Sequence, residues 1–110
     1  MSTRQDGRTG WRCQLRVRIP EALAKSGEVL AFRHELERAA AAQGLSVVSV
    51  QAVAVDRSVS LVVESTCDVE ELMEAVSTTE RLVRGVAETV WPSTEDKRPL
   101  QTESVAARRL

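Results

Sequence analysis

The chain has 110 residues, 43% of them hydrophobic and 28% charged, the proportions of one soluble globular domain with a single core. Fifteen basic against sixteen acidic residues leave a formal charge of −1, which excludes a general electrostatic pull toward nucleic acid or an anionic membrane. No apolar run approaches the ~20 residues that span a bilayer. The opening MSTRQDGRTG lacks a signal-peptide core, so the expected location is the cytoplasm, where thiols stay reduced.

Residues 1–10 are polar and read as a flexible arm. From Trp11 onward, Cys13, Leu15, Val17 and Ile19 alternate with Gln14, Arg16 and Arg18. A period of two marks a first strand with one buried face, ended by Pro20, which has no N–H to donate. Ser26 is placed to cap a first helix over about Gly27–Gln43, and Glu28 in its first turn is favoured by the helix dipole. Val29, Phe32, Leu36, Ala39 and Ala40 form its apolar stripe. Gly44 then stands where a left-handed residue closes a helix.

Leu45–Ser65 reads as two β-branched runs joined by a polar turn at Asp56-Arg57. In the second strand, Leu45–Val55, the residues Val47, Val48, Val50, Val53 and Val55 cannot all point one way. Either a bulge shifts the phase or both faces are covered. The third strand is cleaner, with Val59, Leu61 and Val63 inward, Ser58, Ser60 and Glu64 outward, and Val62 an apolar exception outside.

Asp68 and Glu71 have the spacing of a helix cap and its answering acid, ahead of Val69, Leu72, Met73, Val76 and Val83 at helical spacing. Ser77-Thr78-Thr79 marks a point where that helix can break, and Arg84-Gly85 a stop. Val86–Trp91, closed by Pro92, is β-branched at three positions and reads as a fourth strand, a continuing helix being the competing reading. Residues 93–110 are polar and proline-containing and are expected to be disordered, with Val105–Leu110 able to turn helical on a partner.

The order β-α-β-β-α-β predicts an α+β fold over residues 11–92, a ferredoxin-like sandwich. Its antiparallel sheet takes the strand order 4-1-3-2, with both helices on one face. Trp11 should then approach Trp91, and Cys13 should approach Cys67. The uncovered face carries Arg16, Arg18 and Val62, with whichever of Val48, Val53 and Val55 point outward. Each valine fully buried is worth roughly 1.5 kcal/mol, against an association cost of ~4–15 kcal/mol, so these six residues form a candidate dimer interface. The bare edge of the second strand invites a neighbour, and it and the C-terminal tail are the two expected contacts for a protein partner.

The segments SGEVLA (Ser26–Ala31), QGLSVVSVQA (Gln43–Ala52), DVEELMEAV (Asp68–Val76) and RGVAETVW (Arg84–Trp91) resemble an ACT-type regulatory domain over about Arg12–Trp91. The terminal tryptophan and the arginine-rich first helix are also similar to the cytoplasmic ACT-like domain of the MgtC/SapB family. That resemblance implies a non-enzymatic regulatory or oligomerisation module, with an amino acid or small anion held between subunits. By position it points to Ser26, Gly27, Glu28 and Val29 from one subunit and Leu45, Ser46 and Val47 from the other. The chain departs from the family in having Ala24-Lys25-Ser26 where an acidic residue and a proline lead into the glycine. A helix N-terminus remains suited to a carboxylate.

Other chemistries find little here. Cys13 and Cys67 are two ligands where a zinc site needs about four, so no metal or cofactor is expected and both thiols are read as buried and reduced. His34, between Arg33 and Glu35, reads as a surface residue, and Glu70, Glu71 and Glu74 as a solvated helix face. Arg16 and Arg18 could touch RNA phosphates, but RNA-binding sheets stack bases on central aromatics, which this sheet lacks, so nucleic acid is not expected.

Overall fold

The computed structural model describes residues 10–56, 58–91 and 101–110. In chain order they form β1 (Trp11–Ile19), a 3-10 turn (Glu21–Ala24), α1 (Ser26–Ala42), β2 (Leu45–Val55), β3 (Ser58–Cys67), α2 (Leu72–Val90) and β4 (Gln101–Arg109). The four strands make one antiparallel sheet in the order β2-β3-β1-β4, with β1 central between β3 and β4. The arm expected over residues 1–10 lies, apart from Gly10, outside the described residues.

The core follows from the two periodicities. Cys13, Leu15, Val17 and Ile19 of β1, with Leu61, Val63 and Cys67 of β3, point at the helices. Phe32, Leu36 and Ala40 of α1 and Ala75, Leu82, Val83 and Val86 of α2 answer them. Gly44 takes φ +76°, the left-handed end that lets the chain leave α1 directly into β2. The β2–β3 turn uses Asp56 at φ 56°, a conformation aspartate tolerates better than most side chains. In β2 the phase conflict is resolved by a bulge at Val48, between Val47 and Ser49. Leu45, Val47 and Val50 are thereby placed opposite the inward positions of β3, while Gln51 and Val53 fall opposite outward ones.

The C-terminal third departs from expectation. Val86–Trp91 is not a strand: α2 runs unbroken from Leu72 to Val90, through Ser77-Thr78-Thr79 and past Gly85. Ala75, Thr79, Leu82, Val83, Val86 and Ala87 are all buried, so one continuous stripe of tertiary contact overrides the β-branching and the glycine. The outer place beside β1, expected for Val86–Trp91, is taken by Gln101–Arg109, so the ordered domain does not end at residue 92 and this part of the tail is not disordered. Val105–Leu110, read as able to turn helical on a partner, is strand up to Arg109 in the chain by itself.

The cap expectations also shift. Lys25 precedes α1 and Glu71 precedes α2, both extended and without a side-chain cap bond. Asp68 stays outside the helix because the segment after β3 is tied elsewhere, with Trp11 Nε1 donating to the Glu70 carbonyl at 3.2 Å. Trp11 therefore sits by the start of α2 and Trp91 just past its end. A 19-residue helix is about 28 Å long, so the two indoles lie at opposite ends instead of meeting. The cysteines do meet. Trp11 pairs with Cys67 and Cys13 with Ser65, which puts both thiols on the inner face of adjacent strands.

Candidate functional site

The face of the sheet turned away from the helices is built by the even positions of β1 (Arg12, Gln14, Arg16 and Arg18), opposite Thr66, Glu64, Val62 and Ser60 of β3. β2 adds Ser46, Ser49, Gln51 and Val53 on the same side, and the β2 register sets Val55 opposite Ser58. β4 adds Ser104, Ala106 and Arg108. Of the six expected interface residues, Arg16, Arg18, Val53 and Val62 share this face. Val48 sits on the bulge at the β2 edge, 40% exposed, and Val55 lies at the turn end of β2.

Two carboxylates organise the face. The register of β4 slips between Arg16 and Val17: Ser104 pairs with Arg16 and Thr102 with Val17, leaving Glu103 as the extra residue of a bulge. Its carboxylate reaches back over β1 and accepts from Arg18 Nη2 at 3.0 Å and Nε at 3.2 Å, with Arg16 Nε at 3.6 Å and the Ser60 hydroxyl also bonded to it. Ser60 is buried for this reason although it points outward. The Ser60 hydroxyl, followed by Arg18 and Arg16, holds the Glu103 carboxyl below the usual carboxylate range. Nearer the other end, Arg12 Nε donates to Glu64 at 2.6 Å, and this bond pulls the Glu64 carboxyl down in the same way, with Arg108 adding to it. Arg12, Gln14, Glu64 and Arg108 line a shallow hollow of about 280 Å³. Among the described residues this face carries four arginines (Arg12, Arg16, Arg18 and Arg108) against two glutamates, an excess of positive charge on a chain whose total is −1.

The residues that the ACT resemblance points to divide between the two ends of α1. Ser26 and Gly27 open the helix, and Val29 N–H donates to the Lys25 carbonyl at 3.0 Å. Glu28 accepts from Trp91 Nε1 at 3.1 Å, while the Trp91 ring stacks on Phe32 with centroids 5.0 Å apart and planes at 17°. Beside this helix start lies an open depression of about 660 Å³ lined by Glu21, Ala24, Lys25, Ala52, Ala54 and Val59. At the far end, Leu45 is buried in the core, Val47 is half-buried, and exposed Ser46 lines a separate cavity with Gly44 and Cys67. The 17 residues of α1 separate the two groups by about 25 Å within one copy.

Glu103 was beyond the sequence reading because the tail had no place in the fold. The one available signal was its proximity to Val105 and Ala107, which alternate with exposed residues as a strand does. The same strand ties to α2, where Thr102 Oγ1 donates to Glu80 at 2.7 Å and accepts from Arg84 Nη2 at 3.1 Å. His34 is exposed, and no group of three or more His, Cys, Asp or Glu able to hold a metal occurs among the described residues. Among them, too, no helix is long and apolar enough to cross a membrane.

No family model matches the chain, and no curated protein matches it. Among solved structures, the chain is similar to the solution structure of the C-terminal domain of the MgtC protein from Mycobacterium tuberculosis. That likeness covers 97% of this chain and 93% of that one, at 13% sequence identity and a TM-score of 0.45, a level that carries no statement about function.

Proposed function

We propose that this chain is a non-enzymatic regulatory module that self-associates through the open face of its sheet and responds to a small zwitterion beside the start of α1. The observation that carries this reading is the face of the sheet turned away from the helices, with half-buried Val53 and Val62 among ordered Arg–Glu pairs. Pre-ordered side chains lose little entropy on contact. Two copies related by a two-fold axis can exchange partners, the arginines of one meeting Glu103 and Glu64 of the other. The apolar part is small. With both valines already half covered, four of them across a dimer supply only about 3 kcal/mol, less than the ~4–15 kcal/mol cost of association, so the dimer is weak and depends on the rest of the face.

For the effector, the depression by Glu21 and Lys25 supports the reading because opposite charges at one rim match the ammonium and carboxylate of an amino acid. Glu28 already places a carboxylate in the first turn of α1, so a bare anion is disfavoured there relative to a zwitterion. Light scattering and sedimentation from about 10 μM upward test the self-association. Wild-type chain is expected to show a concentration-dependent dimer, and Val62→Glu to remain monomeric with an unchanged fold. A wild-type chain monomeric at millimolar concentration removes the interface. A thermal-shift screen with amino acids tests the effector separately, a ligand that binds only the folded chain raising its midpoint.

A nucleic-acid reading is favoured by one observation, the excess of arginine on that face. Counterion release would make such binding fall steeply with salt.

A further inference from the structure

Cys13 and Cys67 belong to neither part of that proposal, yet the fold brings them together. They lie diagonally across the β1–β3 pair on one inner face, both buried and both free. Diagonal neighbours in an antiparallel pair have Cα atoms about 7–8 Å apart, at the outer limit for a disulfide, and strand twist draws one diagonal of each pair closer. Cys13 is among the groups that raise the pKa of the Cys67 thiol, as a neighbour across this diagonal would. Cys67 also lines a cavity of about 410 Å³ with Gly10, Gly44, Ser46, Thr66, Asp68 and Leu110, so the pair lies beside a space large enough for a small oxidant.

We propose that Cys13 and Cys67 form a redox modification site, closing to an intramolecular disulfide when a small hydroperoxide enters through the cavity beside Cys67. Both S–H bonds break and one S–S bond forms. The two electrons and two protons pass to the hydroperoxide, whose O–O bond breaks to give water and an alcohol, or two waters from hydrogen peroxide itself. The attacking sulfur is Cys67, oxidised first to a sulfenic acid at the cavity wall, and Cys13 resolves it from within the core. The product pins the central strand to β3 at the end where Gly10 also receives the Leu110 N–H, so oxidation fixes three strands at once without changing the outer face. Burial pushes the Cys67 thiol up to about 11, with Cys13, Glu74 and Asp68 adding to the rise, so the reaction is slow near neutral pH.

The test exposes the folded full-length chain to excess hydrogen peroxide and follows intact mass, free thiols after denaturation, and the unfolding midpoint. The expected result is a mass lower by two hydrogens, loss of both thiols, a monomer on a non-reducing gel, and a midpoint raised by about 5 °C or more that dithiothreitol reverses. Cys13→Ser should stop at the oxygen adduct on Cys67 and show no rise in midpoint. Two thiols surviving prolonged exposure, an oxygen adduct as the wild-type end product, or a covalent dimer would each overturn the proposal. The wild-type mass decides the matter even if the variant fails to fold.

Discussion

Glu103 gathers three partners, Arg16, Arg18 and Ser60, because a single residue is inserted in β4. Had β4 continued in register, this carboxylate would point to the opposite face from Ser104. The bulge turns both outward and sets it between Arg16, Arg18 and Ser60. Because its folded pKa is depressed, as is that of Glu64, each contributes stability that is fully present above the ordinary carboxylate range, near 4.5, and is lost as pH falls through the lower folded value. Thermal unfolding of wild type and Glu103→Gln across pH 2–8 should therefore show a gap that is constant above about pH 5 and closes as pH drops below about 4. A gap that widened in acid would contradict the assignment. At this scale the sequence was readable wherever a residue's role followed from alternation within its own strand, as for Leu15 or Leu61. It was opaque for Glu103, Thr102 and Trp91, whose partners are supplied by elements far along the chain.

Among the elements, β1, α1, β2 and β3 could be read to within a residue or two because β1, α1 and β3 carry one clean periodicity, while β2, whose phase is broken by its bulge, is bracketed by Gly44 and the Asp56 turn. α2 and β4 could not, for a shared reason. Valines at 83, 86 and 90 suit a strand locally, while their spacing suits a helix buried against Phe32 and Leu15, and only the packing decides. β4 in turn hides its alternation behind the bulge at Glu103, so Thr102 and Val105 fall out of step. The helical state of the disputed segment has a direct check. Gly85 is exposed inside α2, with ordinary helical backbone and nothing within 4 Å of where a Cβ would lie. Gly85→Ala should stabilise the chain by about 0.5–1 kcal/mol in urea unfolding, whereas a helix stop at Gly85 would make the same change destabilising.

For the molecule as a whole, the α+β class and the doubled strand–helix pattern were visible from the sequence, but the segment filling the outer position beside β1 was not. The valine-rich seam expected on the bare face is in fact a mixed surface on which arginine outnumbers glutamate. This changes the expected salt response. Bringing two such faces together opposes four surplus positive charges, so self-association should strengthen as salt rises from about 0.05 to 0.5 M, when the Debye length shrinks from roughly 14 Å to 4 Å. Sedimentation velocity across that range checks it. Weakening with salt would instead mean that the cross-copy Arg–Glu exchange dominates.

The central place of β1 has one more consequence. Its two neighbours come from far along the chain: Trp11 is matched on one side to Cys67 and on the other to Arg109. Contact order is therefore high for so short a polypeptide, and the loops that must close before either pairing repays their entropy are long. Refolding is expected on the millisecond-to-second scale instead of microseconds, with the last ladder to zip being the one that seats Glu103 over its arginines.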